Sequence, residues 1–171
     1  GAVYRVDALP SCPAVGAAAV KRLAANSMQG AAELNVEIQL LGTCRHEHLL
    51  PLLAFCLDQR GNCLIYPLMP GGSFEDRLFP NEADATRRLA LLRGQDGAAA
   101  APPPPLTWQE RLRVVRDATR ALVFLHTPTA ARPVVLHRDI KPPNILLDAA
   151  LNAKLADVGL AKQAHALQEG R

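Results

Sequence analysis

The sequence predicts an α+β protein, strand-rich in its first part and combining one long helix with short strands in its second. Three observations carry that expectation. Apolar runs at residues 49–57 and 63–69 flank Arg60-Gly61-Asn62, a hairpin signal. Thr107 and Glu110 form a T-x-x-E capping box ahead of Leu112, Val115, Leu122 and Leu125, which repeat at helical spacing up to His126. Short apolar runs at residues 134–136, 145–147 and 153–156 surround the loop HRDIKPPN, residues 137–144, and read as three strands.

Taken in order, residues 3–23 read as two strands joined by a turn containing proline and Cys12, the second strand leading into Lys21. A helix follows at about residues 31–41, because Leu34, Ile38 and Leu41 fall at i, i+4 and i+7, with Glu37 beside that stripe. After the hairpin, across which Cys56 and Cys63 face each other, Pro67 and Pro70 stop the pairing and Gly71-Gly72 loosens the chain. Residues 80–105 form a low-complexity insert of charged and alanine residues ending in Pro102 to Pro105. Its proline tract favours an extended conformation, so the segment reads as a solvated spacer rather than a proline-recognition ligand. No internal repeat is present.

Length and composition exclude several classes. The 171 residues suffice for one substantial core or two small lobes. Nineteen basic and 16 acidic residues, net +3, are mixed along the chain without a polybasic run, so no nucleic-acid partner is expected. No stretch approaches the about 18 apolar residues of a membrane span, and no signal-peptide pattern opens the chain. The four cysteines form no C-x-x-C pair and no zinc spacing with histidine, so reduced thiols are expected.

The chemistry-bearing pattern is Asp139, Lys141 and Asn144 at fixed intervals, then the apolar run 145–147, then Asp157 and Gly159 in a DVG triplet. Phosphoryl transfer is largely positioning and charge neutralisation. It needs a carboxylate near the acceptor hydroxyl and hard oxygen ligands for a cation, and these residues supply both.

These residues resemble the eukaryotic protein kinase family, and the resemblance runs over the whole chain except the insert. It implies a truncated bilobal fold, with residues 1–69 as small lobe and hinge and 70–171 as part of the large lobe. Ala19-Val20-Lys21 is similar to the strand whose lysine binds the α- and β-phosphates, and Glu37 in VEIQLL matches its helix partner. Asp139 resembles the catalytic aspartate that accepts or orients the hydroxyl proton, and Lys141 the lysine that steadies the transferred phosphate. Asn144 and Asp157 correspond to the magnesium ligands. His137 matches a packing and hydrogen-bonding residue rather than a general base. Arg138 is either a surface charge or the family's clamp for a phosphorylated residue. On the adenine side, Tyr66 falls at the gatekeeper, Pro67 offers a carbonyl and Met69 an N–H at the hinge, and Val3, Ala19 and Leu146 match the residues that sandwich the ring.

The implied activity is ATP- and Mg2+-dependent transfer to protein serine or threonine, Lys141 favouring these over tyrosine, with a cytoplasmic location. The segments RHEHLLPLL, CLIYPLMPGGSFEDRLF and LTWQERLRVVRDATRALVFLH are similar to plant receptor-like and Pelle-type kinases. The nearest likeness is to the U-box-linked branch, where DVG also replaces DFG. Gly1-Ala2-Val3 matches only the end of the family's glycine-rich loop, and no A-P-E signature follows DVG. The chain is therefore expected to be a fragment of low stability, with helix 107–126 short of apolar cover. Val158 in place of Phe and the proline-rich insert support a rival reading as a nucleotide-binding pseudokinase or scaffold, against which stand Lys21, Asp139 and Asp157, all present.

Overall fold

The computed structural model describes residues 2–8, 16–22, 28–58, 61–80, 82–94 and 102–164. The expected first turn with Cys12, Arg60 of the hairpin turn, and residues 95–101 of the insert lie outside them.

β-Branched and aromatic residues in AVYRV and the run AAVKR give strands β1 (Ala2–Val6) and β2 (Ala18–Arg22). With β3 (Ala54–Cys56) and β4 (Cys63–Pro67) they form an antiparallel sheet of order β1-β2-β4-β3. Its register places Val3 opposite Lys21, Arg5 opposite Ala19, Ala19 opposite Tyr66 and Lys21 opposite Leu64. Directly opposed residues share a face, so one face of this sheet carries Val3, Arg5, Ala19, Lys21 and Tyr66. The hairpin pairing is as expected, with Cys56 opposite Cys63 as free thiols.

The expected strand over residues 49–57 shrinks to three residues. Pro51 lacks the N–H that a continuing ladder needs. Leu49 and Leu50, both buried, turn instead to the second half of the molecule: Leu50 N–H donates to Leu155 O at 2.9 Å, and Leu155 N–H to His48 O at 2.8 Å. Helix α1 (Met28–Thr43) is longer than the expected 31–41 and buries Leu34, Glu37, Leu40 and Leu41, with Ile38 partly covered.

The second half begins with β5 (Gly72–Ser73) and α2 (Phe74–Leu78), whose N-terminus is closed by a Ser73–Asp76 capping box. Far from loosening the chain, Gly71 is clamped: a Cβ there would lie 2.5 Å from Asp148 O and 2.8 Å from Leu147 Cβ. The solvated-spacer reading of residues 80–105 is also corrected, because α3 (Ala83–Leu92) packs Ala85 and Leu89 into the interior and Pro103 is buried as well. Charge and alanine content masked the i, i+4 spacing of that inner face.

Helix α4 (Trp108–His126) starts at the expected Thr107–Glu110 box but buries Val114, Asp117, Ala118, Ala121 and Leu125. Of the expected stripe, Leu125 is buried and Leu122 partly so, while Leu112 and Val115 are half exposed, in line with Trp108 and Val123. Small side chains win the inner face because α4 lies directly against β8 (Ala153–Leu155) and β6 (Val134–Leu136). β7 (Ile145–Leu147) joins β5 and β8 in a three-stranded sheet, and β6 pairs with β9 (Lys162–Ala164), a strand not expected from sequence. One buried cluster runs through both halves, from Leu34 and Leu64 to Val114, Leu155 and Val158. No helix among the described residues is long and apolar enough to cross a membrane.

Candidate active site

The loop after β6 is held by its own backbone and by one buried ring. His137 is 2% exposed; its Nε2 lies 3.1 Å from Ala156 O, and its Nδ1 accepts the Asp139 N–H at 3.3 Å. Nδ1 is therefore the acceptor and Nε2–H the donor. Burial pulls the imidazole pKa below 6.5 despite the Ala156 carbonyl and the two nearby aspartates, so the ring is neutral and structural. Arg138, exposed, takes a left-handed φ of 70°, as does Asp157 at 60°, two strained positions that bracket the site. The 3-10 turn Pro142–Asn144 then folds the chain back. Asn144 Nδ2 donates to Asp139 O and Oδ2 at 2.9 and 2.8 Å, and Lys141 Nζ sits 2.8 Å from the same Oδ2. The Lys141 hydrogen bond, joined by that of Asn144, holds the Asp139 carboxyl below its usual range, and Asp139 in turn raises Lys141.

A second group assembles from distant segments. Lys21 on β2 lies 3.1 Å from Oε2 of Glu37 on α1 and 2.8 Å from Oδ1 of Asp157, 136 positions away in sequence. Glu37 is 2% exposed and also accepts from the Tyr66 hydroxyl at 2.5 Å. Burial draws the Lys21 pKa down, but Glu37 and Asp157 together outweigh it and the net shift is upward. Burial and then Glu37 push the Tyr66 phenol far up, so it remains a donor. Val158 is fully buried, and a Cβ on Gly159 would lie 3.2 Å from Glu33 Cβ on α1, which shows how closely the DVG triplet backs onto that helix.

Between these groups lies a cleft of about 460 Å3. Its walls include Val3, Ala19, Lys21, Glu37, Tyr66, Pro67, Met69, Leu146, Asn144 and Asp157, which are all the candidate nucleotide and metal residues. Asp139 and Lys141 are not on these walls; they reach the cleft through Asn144. At the hinge Leu68 N–H is taken by Ala17 O at 3.2 Å, and no described residue accepts from Met69 N–H. The cleft also uses Leu50, Ser73, Glu75, Asp76, Arg88 and Leu92, which sequence reasoning missed. The S-x-x-D capping pattern at Ser73–Asp76 was a legible signal for two of them; nothing local marks Arg88 or Leu92.

The donor set fits a hard cation. Asn144 commits its amide nitrogen to Asp139 and keeps its carbonyl oxygen, while Lys21 engages only Oδ1 of Asp157, whose side chain is 46% exposed. Two oxygen donors lining one cleft are what magnesium-type ions take from a protein before phosphate oxygens and water complete the shell.

A family model described as protein tyrosine and serine/threonine kinase matches residues 1–170. Among the curated proteins the chain resembles is a probable receptor-like protein kinase of Arabidopsis thaliana, the source also of the next two, 39% identical over 84% of this chain and 14% of its own length. The probable serine/threonine-protein kinase PBL11 is 40% identical over 90% of this chain and 34% of its own length. An L-type lectin-domain containing receptor kinase is 38% identical over 84% of this chain and 19% of its own length. The chain thus spans about a seventh to a third of the relatives it matches. With its sheet, helix α1, cleft and HRD loop in place, this chain belongs to the protein tyrosine and serine/threonine kinase family.

Proposed function

We propose that the protein to which this chain contributes transfers the γ-phosphate of ATP to serine or threonine hydroxyls of protein substrates. The observation that carries this reading is the convergence of Lys21, Glu37 and Asp157 on the cleft that Asn144 and the hinge also line. Lys21, kept charged and aimed by Glu37, holds the α- and β-phosphates, and Val3, Ala19 and Leu146 enclose the base between the Pro67 carbonyl and the Met69 N–H. Asn144 and Asp157 hold the divalent cation, magnesium by the hardness of their oxygens, which when bound neutralises phosphate charge.

Asp139 accepts or orients the proton of the acceptor hydroxyl, whose oxygen bonds to the γ-phosphorus as the bond to the β–γ bridging oxygen breaks and ADP leaves. Lys141 steadies the group in flight. The reading carries a division at the hinge, residues 1–69 against 70–171, a cytoplasmic site of action and a protein rather than nucleic-acid acceptor. The DVG triplet is what favours the U-box-linked branch among plant kinases.

The test is incubation of the protein with γ-labelled ATP, magnesium and a generic acceptor protein, followed by phosphoamino-acid analysis. Phosphoserine or phosphothreonine that vanishes on magnesium removal is the expected result. Nucleotide binding without transfer would favour the pseudokinase or scaffold reading instead.

A further inference from the structure

The C-terminal part of helix α3 touches both halves of the molecule. On its inner face Leu89 is 1% exposed, packed so closely that a Cβ on Gly72 would lie 2.5 Å from its Cδ2. Arg88 places Nε and Nη2 2.8 and 2.6 Å from Oδ1 of the buried Asp76 on α2. These contacts bind α3 to the half that carries β5 and α2. Its last turn reaches the other half: the carbonyls of Leu91 and Leu92 accept from Arg5 Nη1 at 2.9 and 3.3 Å. A cation is favoured there by the partial negative charge of the helix C-terminus.

Arg5 stands on β1, which among the described residues lies at the edge of its sheet and pairs with β2 alone. Val3 and Tyr4 beside it are 66% and 52% exposed, so little apolar packing holds the strand down. Asp7 takes Arg5 Nε at 2.8 Å and Nη2 at 2.6 Å, which leaves Nη1 for the helix. Opposite Arg5 is Ala19, and two residues along the same face Val3 stands opposite Lys21. Arg88 and Leu92 of α3 share the cleft wall with Val3 and Ala19, and a second cavity of about 670 Å3 opens between β1 and α3.

We propose that Arg5 is a positioning residue for the nucleotide: by gripping the C-terminal carbonyls of α3 it straps β1 across the cleft mouth and sets how closely Val3 lies over the bound base. The inference rests on the nucleotide reading of the cleft. Arg5 does not line the 460 Å3 cleft itself, so its effect is carried by β1. An arginine paired with Asp7 alone would be an ordinary surface ion pair with no influence on the cleft.

The test compares unaltered protein with Arg5→Ala, Arg5→Lys and Gly94→Ala in two measurements: amide hydrogen exchange over residues 2–6, and binding of a fluorescent methylanthraniloyl-ATP with magnesium. Arg5→Ala is expected to speed exchange in β1 and weaken binding about three- to tenfold, the scale of a partly exposed charge-assisted bond at a helix terminus. Arg5→Lys keeps a cation and stays within about twofold. Gly94→Ala attacks the contact from the other side, since its Cβ would lie 2.6 Å from Arg5 Nη1, and is expected to match Arg5→Ala. Unchanged exchange, or faster exchange with unchanged affinity, in Arg5→Ala would overturn the strap. Failure of the unaltered protein to bind the nucleotide would overturn the nucleotide reading instead, and the exchange comparison would then decide the strap alone.

Discussion

Six consecutive residues, Asp139 to Asn144, make one half of the site, whereas the Lys21 ion pairs draw on β2, α1 and the DVG triplet, spread over 136 positions. The first half is local and partly solvated; the Asp139 side chain is 23% exposed and the Lys141 side chain 50%. The second half is long-range and rests on Glu37, whose side chain is 3% exposed. Altering the local loop should therefore change chemistry and leave the fold alone, while altering the long-range group should disturb both, because it leaves a buried carboxylate short of partners.

Four changes can break or sharpen that contrast. Asp139→Asn removes the proton acceptor while keeping the shape of the loop. It is expected to lower transfer about 10²- to 10⁴-fold with stability within about 0.5 kcal/mol of the parent, by a transfer assay beside urea denaturation. Lys141→Ala is expected to lower transfer about 10- to 100-fold, again with little change in the denaturation midpoint, since the lost bond is charge-assisted but exposed. Tyr66→Phe, in the long-range half, deletes the hydroxyl that donates to buried Glu37. An unfolding free energy lower by about 1–3 kcal/mol is expected, and an unchanged midpoint would dissolve the contrast.

The smallest effect is on pH, through His137, which joins the two halves by tying the loop to Ala156. Its folded pKa is depressed, chiefly by burial, so the unfolded chain takes up the proton first. The stability it contributes is complete above pH 6.5 and is lost as pH falls below 6.5 towards the folded pKa. An unfolding free energy lower by up to about 1 kcal/mol at pH 5.5 than at 7.5 is expected. His46, depressed by burial and by His48, adds in the same direction, so His137→Gln should shrink the pH dependence rather than abolish it.

What was legible in the sequence follows the same division. The HRDIKPPN loop, the Thr107–Glu110 cap and the hairpin at Gly61 are set by residues within a few positions of each other, and their chemistry is written in that order. The face of α4 was not legible, because burial of Asp117, Ala118 and Ala121 depends on how near β8 and β6 approach, which apolar periodicity does not record. Helix α3 was hidden by alanine and charge, and its partners Asp76 and Arg5 lie 12 and 86 residues away from the groups they meet. Lys21 and Glu37 were found through family likeness, whereas the Tyr66 hydroxyl on Glu37 became visible only once α1 and β4 were placed together.

The most direct test of the contrast sets Lys21→Met beside Asp139→Asn, with the denaturation midpoint and MgATP affinity measured on the same preparations. Asp139→Asn is expected to keep both, affinity staying within about threefold. Lys21→Met is expected to lose nucleotide affinity at least about tenfold and to lower stability by about 1–3 kcal/mol, a buried-pair cost discounted for the partial exposure of Lys21 and Asp157. Equal behaviour of the two variants, whether both intact or both damaged, would contradict the account.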